Sequence, residues 1–191
     1  MSITIGNTMI YFWPLIVTLV IAVIASFLFT LYLSLRVRKV RKSFEAGVYD
    51  KAIIDGEQLL KTYQKLDKRY KHRYKYMVNG IENLHFVLAV SYFSAMNWKC
   101  FLSHINSLSL YPDVKNFWLS LYYICQDNLD EAQLYYEKIS RIDKNKTSFS
   151  YLESLICYKQ GKYDLAKSKM DSIYMNLTTP LLKHLADQLH E

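Results

Sequence analysis

The sequence predicts an all-α protein: a single N-terminal transmembrane helix followed by a solenoid of helical hairpins and a C-terminal capping helix. Three observations carry that expectation. Ile10 to Leu35 is an uncharged, strongly apolar run that stops at a basic cluster. The rest of the chain is poor in Gly and Pro and has no alternating Val/Thr-rich segments bounded by turn residues, so its periodic stretches read as helices and no strands are needed. Within those stretches one pattern returns after 34 residues, which points to a repeat architecture.

All 24 Lys and Arg and all 17 Asp and Glu lie after residue 35, so an uncharged head precedes one charged domain of about 150 residues. The expected organisation is a short extracytoplasmic N-terminus (1–9), a transmembrane helix (10–35) and a basic membrane-proximal region with a partial first repeat (36–79). Repeats (80–178) and the capping helix (179–191) follow. A helix over 10–35 would be about 39 Å long, enough to cross a hydrocarbon core of about 30 Å with some tilt. Pro14 falls in its first turn, where the missing N–H breaks no helical bond, and Tyr11, Trp13 and Tyr32 lie near the interfaces that amphipathic rings prefer. A cleaved signal peptide would want a basic start, a shorter apolar core and a small-residue exit, none of which is present. Positive charge stays on the cytoplasmic side, so the expectation is a single-pass protein of the cell membrane with its N-terminus outside and Arg36 onward in the cytoplasm.

The excess positive charge sits beside this anchor. Residues 36–75 hold 13 Lys or Arg against 5 Asp or Glu, whereas residues 76–191 hold 11 against 12. The collar comprises Arg36, Arg38, Lys39, Arg41, Lys42, Lys61, Lys65, Lys68, Arg69, Lys71, Arg73 and Lys75, interleaved with Tyr63, Tyr70, Tyr74 and Tyr76. Anionic lipid headgroups lie within reach of such a segment and contribute about 1 kcal/mol per cation close to the surface. A solvated helix face with a stop-transfer signal explains the same residues equally well, and nucleic acid, which also takes cations and rings together, ranks behind both because the chain is tethered to a membrane.

The repeat is clearest where DNLDEAQLYYEKI (127–139) aligns without gaps with GKYDLAKSKMDSI (161–173), placing Ala132 and Ala166 34 residues apart. Gly161 occupies the turn, where positive φ is useful, and Asp127 with Asn128 substitutes for glycine in the preceding unit. Leu129 and Tyr163 follow the turn; Tyr136 and Ile139, then Met170 and Ile173, continue at helical spacing. FWLSLYYIC and YLESLICYK supply the first helices, with Tyr123 as an aromatic filler in the first and with Ser120 and Ser154 at the small site twelve residues before the two alanines.

These two units resemble the tetratricopeptide repeat, in which two antiparallel helices joined by a tight turn approach closely at small residues. They depart from its usual pattern because the large aromatic near the start of the first helix is displaced by one or two residues, to Phe117, Trp118 and Tyr151. A third unit precedes them, with Ala89 and Tyr92 in its first helix, Met96-Asn97-Trp98 as its turn, and Phe101 where the family normally has Ala. Pro112 falls where a repeat commonly ends. The opening unit is partial: Gly47 at the turn, Tyr49 after it, Ala52 at the small site, and residues 33–44, continuous with the membrane helix, as its first helix. Gly56 would weaken the second helix by about 1 kcal/mol if exposed. Ala52 to Phe101 spans 49 residues, 15 more than a period, so 65–79 reads as an insertion or a lengthened helix ending near Asn79-Gly80. Thr179-Pro180 starts the capping helix, with Leu181, Leu182, Leu185 and Leu189 on one face.

No motif of chemistry is present. GxxxxGK[ST], GxGxxG and HExxH are missing, and His72, His85, His104, His184 and His190 form no i, i+4 pair. Asp127, Asp130 and Glu131 are explained as turn and helix-start acids, so no catalytic residue, metal site or cofactor is expected. Cys100, Cys125 and Cys157 lack metal-ligand spacing and read as buried reduced thiols. Tyr122, Tyr123, Tyr135 and Tyr136 read mainly as interhelical core, with some available to a groove. The resemblance implies binding of a peptide or helix from another protein, hence an adaptor or scaffold at the cytoplasmic face. The alternatives are a translocation or assembly receptor of the same architecture and, further off, a nucleic-acid tether.

Overall fold

The computed structural model describes residues 2–5, 8–11, 13–70, 75–140 and 147–173, with side chains described for 13–66, 79–140 and 147–173. The chain divides into two compact units, Met1–Lys39 and Val40–Glu191. In the first, β1 (Ser2–Ile5) pairs antiparallel with β2 (Thr8–Tyr11), Ser2 opposite Tyr11 and Ile5 opposite Thr8. The expectation of no strands, and of a helix from Ile10, is corrected here. Ile10 and Tyr11 are β-branched and aromatic residues that suit a paired strand, and the helix opens at Trp13, just ahead of Pro14.

That helix, α1 (Trp13–Glu45), is 33 residues long and continues without a break through Arg36, Arg38 and Lys39. It is long and apolar enough to cross a membrane, and none of its most apolar stretch is buried. Trp13, Leu15 and Phe27 are each about two-thirds exposed, at 64%, 66% and 67%, so this is not the core helix of a soluble domain. Its hydroxyls are satisfied within the helix: Thr18 donates to the Pro14 carbonyl at 2.6 Å, Thr30 to Ser26 at 2.7 Å and Ser34 to Thr30 at 3.0 Å. Such back-bonding removes the main cost of a polar side chain in hydrocarbon.

The second unit contains the end of α1 and seven further helices among the described residues: α2 (Tyr49–Tyr70), α3 (Lys75–Ser94), α4 (Trp98–Asn106), α5 (Pro112–Cys125), α6 (Leu129–Glu137), α7 (Thr147–Lys159) and α8 (Tyr163–Ile173). Helix α3 packs against α2 and α4, α5 against α6, α7 against α8, and α7 also against α5 and α6. Four turns share one hydrogen-bond pattern. The N–H groups of Val48, Asn97, Asn128 and Lys162 reach back to the carbonyls of Ser43, Tyr92, Tyr123 and Cys157 at 2.9 to 3.0 Å. This is the closing bond of a helix that ends in the left-handed region, and the residue before each donor has positive φ: Gly47 (72°), Met96 (54°), Asp127 (53°) and Gly161 (76°). Asn97 and Asn128 then cap the following helices, accepting from the Cys100 and Glu131 N–H groups at 3.2 Å.

Behind the turns lie the small-residue seams. Ala52, Ala89, Ala132 and Ala166 are buried, as are Ser120 and Ser154. Ser120 donates across its hairpin to the Ala132 carbonyl at 2.7 Å, whereas Ser154 turns back to Tyr151 on its own helix, also at 2.7 Å. Phe101 is fully buried in the position its neighbours give to Ala.

Three expectations about helix ends change. Gly56 is buried, and a Cβ there would meet Leu88 Cδ2 at 3.0 Å and Val40 Cγ1 at 3.6 Å, so it permits a close approach that Ala would obstruct. Asn79-Gly80 is interior to α3 and ends nothing; a Cβ at Gly80 would stand 3.3 Å from the Tyr63 ring, which again favours glycine by proximity. Pro112 opens α5 instead of marking the end of a helix, because a missing N–H is harmless in the first turn. The expected capping helix, 179–191, lies outside the described residues.

Candidate functional site

The first helices of successive hairpins line a groove. Phe44 at the end of α1, Phe86 of α3, Val114, Phe117 and Trp118 of α5, and Ser148 and Phe149 of α7 enclose a cavity of about 230 Å³. The rings form a chain of edge-to-face contacts: Phe44 to Phe86 at 6.5 Å, Phe86 to Trp118 at 6.5 Å, Trp118 to Phe117 at 5.5 Å and Phe117 to Phe149 at 5.2 Å between centroids. Phe117, Trp118 and Phe149 are buried and hold the floor, while Phe44, Phe86 and Val114 are half-buried at the walls. Ser148 is the one polar side chain, so the groove suits an apolar segment more than a charged one.

Sequence reasoning singled out Phe117 and Trp118 only as displaced aromatics and passed over Phe44, Phe86 and Phe149. Their separations, set by three different hairpin lengths, leave no fixed spacing to detect. The tyrosines expected to supply groove residues lie elsewhere. Tyr122 packs on Trp98 and Phe101 at 5.5 Å, Tyr123 stacks on Tyr135 at 5.5 Å, and Lys138 sits 4.4 Å over the Tyr135 ring. Burial, reinforced by Glu153 and Cys157, pushes the half-buried Tyr136 hydroxyl up to about 12. Tyr92 reaches about 12 as well, from burial first and then from the Glu57 carboxylate it contacts.

The repeat-signature residues fall as follows. Tyr49 meets Phe44 edge-on at 6.0 Å, Trp98 meets Phe93 at 5.3 Å, and Leu129 is packed against the core. Tyr163 is 62% exposed, touching Tyr158 at 5.2 Å. Among the collar residues, Arg38, Lys39, Arg41, Lys42, Lys61 and Lys65 are exposed, Arg36 is half-buried near the Tyr32 ring, and Arg41 bridges Glu45 at 2.7 Å. Lys68 and Arg69 lie in the last turn of α2, Lys75 begins α3, and Lys71 and Arg73 lie outside the described residues. The cysteine expectation is corrected: only Cys157 is buried, Cys100 is half-buried and Cys125, the last residue of α5, is exposed at the turn. Among the described residues no group of three His, Cys, Asp or Glu side chains is placed to hold a metal.

Two polar arrangements were not legible in the sequence. Glu82, buried on α3, accepts hydrogen bonds from the Ser109 hydroxyl, from the Ser109 N–H at 3.0 Å and from the Leu110 N–H at 2.9 Å, so it caps the loop that leads to α5. Burial alone would raise its carboxyl, but these bonds outweigh burial and hold it below the usual range. His85 and His104 also meet, 19 residues apart in sequence.

The class these features define is an all-helical protein with one long apolar N-terminal helix and a body of helical hairpins. No family model, curated protein or solved structure matches the chain.

Proposed function

We propose that this chain is a membrane-anchored, tetratricopeptide-like adaptor that recruits a protein partner at the cytoplasmic face by holding an apolar peptide or helix in the Phe44–Phe86–Trp118–Phe149 groove. The observation that carries the reading is the groove itself: a row of partly exposed aromatic rings drawn from the first helix of every hairpin. Four equivalent turns at Gly47, Met96, Asp127 and Gly161 support the family resemblance, since they repeat one backbone motif through units whose sequences have diverged. The mechanism is binding without catalysis. Anchoring through α1 raises the effective concentration of the partner at the membrane, so modest affinity suffices. Exposed Arg38, Lys39, Arg41 and Lys42 follow the apolar stretch and set the orientation, with anionic headgroups as their natural counter-charges.

The test is site-specific photo-crosslinking in intact cells, with a photoreactive phenylalanine at Phe86 and, as control, at exposed Leu134. One dominant, stoichiometric product from Phe86 and not from Leu134 supports the adaptor, and Trp118→Ala should then weaken capture at least tenfold, as for a buried aromatic anchor. Many unfolded clients would indicate a translocation or assembly receptor. Equal labelling at both positions, or digestion of the body by protease added outside the cells, would sink the reading.

A further inference from the structure

Four ionisable side chains from three helices converge beside the groove. His85 Nδ1 lies 2.9 Å from His104 Nδ1, and His104 Nε2 lies 3.0 Å from Glu57 Oε1. The Tyr92 hydroxyl donates to the same Glu57 oxygen at 3.2 Å, while its ring stacks on His104 with centroids 5.5 Å apart and planes 9° from parallel. Glu57 comes from α2, His85 and Tyr92 from α3, and His104, which is buried, from α4. Glu82 acts on His85 from one turn earlier on α3, and Cys100 of α4 acts on Tyr92.

The hydrogen count is constrained. An ionised carboxylate only accepts, so His104 Nε2 carries a hydrogen toward Glu57. The short line between the two Nδ1 atoms then has room for one hydrogen. Either His85 donates to a neutral His104, or a charged His104 donates to a neutral His85. A second charge would leave two N–H groups facing each other, each without an acceptor, beside a like charge.

We propose that the His85–His104 pair is a pH-operated latch, fastening α3 to α4 and, through Glu57, to α2 while it carries at most one positive charge, and opening when both rings are protonated. Burial, then the charge of His104, outweighs the opposing pull of Glu57 and Glu82 and lowers the affinity of His85 for a proton below the ordinary histidine value. With the folded value below the unfolded one, the latch is intact above about pH 6.5 and is lost as pH falls below it, because the open form takes the extra proton first. Phe86 follows His85 on α3 and forms a groove wall. An effect of acid on partner capture therefore rests on the proposed function, whereas the latch itself does not.

The full chain in detergent micelles tests this without any partner. Imidazole ¹⁵N resonances, assigned with His85→Gln and His104→Gln, should show no state in which both rings are charged while α3 and α4 remain protected. Amide exchange of α3 and α4, corrected for intrinsic rates, should rise by up to about tenfold per pH unit below pH 6.5 in the native chain and lose that slope in His85→Gln. An unchanged slope in the variant, or two charged rings with full protection, overturns the latch. If His85→Gln does not fold, the ¹⁵N titration of the native chain decides alone.

Discussion

The hairpins α3–α4 and α5–α6 reverse through the same turn and fill the seam behind it differently. Each places a non-glycine residue at positive φ, Met96 or Asp127, and each caps its second helix with Asn. In α5–α6 two small residues face each other, Ser120 and Ala132, locked by the 2.7 Å hydrogen bond between the helices. In α3–α4 the equivalent pair is Ala89 and Phe101, and Phe101 is held by edge-on contact with Phe93 at 5.3 Å and by Tyr122 at 5.5 Å. The turn is a backbone device, closed by main-chain hydrogen bonds that are indifferent to the side chains around them. The seam depends on paired volumes, so it tolerates a large residue only where the neighbouring rings are arranged to receive it.

Three substitutions probe that contrast, each read by equilibrium unfolding of the full chain in detergent. The largest effect is expected for Phe101→Ala, which would make α3–α4 conform to the family pattern yet lose about 3–5 kcal/mol by opening a cavity under Phe93 and Tyr122. A loss below about 1 kcal/mol would mean that the two seams are interchangeable. Gly56→Ala comes next. Helix propensity alone would reward it by about 1 kcal/mol, but crowding of Leu88 and Val40 should outweigh that gain and destabilise by about 1 kcal/mol net. Stabilisation instead would show that the α2 seam has slack. The smallest effect is expected for Met96→Gly, which should stabilise by up to about 1 kcal/mol by removing the steric cost of positive φ. Asp127→Gly should gain less, since it also forfeits the exposed ion pair with Lys159. Equal gains at the two turns would deny that pair any role.

Much of the fold was legible because it rests on local chemistry. The apolar stretch, the turns at Gly47, Asp127 and Gly161, and the small sites at Ala52, Ala132 and Ala166 each follow from one short segment and a fixed offset. Gly56 and Gly80 misled, because propensity treats a helical glycine as a weakness while packing uses it for close approach. Pro112 misled for a related reason: it forbids continuing a helix but favours beginning one.

By itself, then, the sequence determined the periodic quantities: where an uncharged helix runs, where the chain reverses, and which small residues recur behind the reversals. Only the tertiary structure decided which distant side chains meet. Phe44, Phe86, Trp118 and Phe149 form one groove, and Glu57, His85, Tyr92 and His104 form one polar cluster, although no common spacing relates them. The physical reason is that helix spacing fixes a residue's face within its own segment, whereas the partner on that face depends on the lengths of α2 and α3 and on how closely the glycines let them approach.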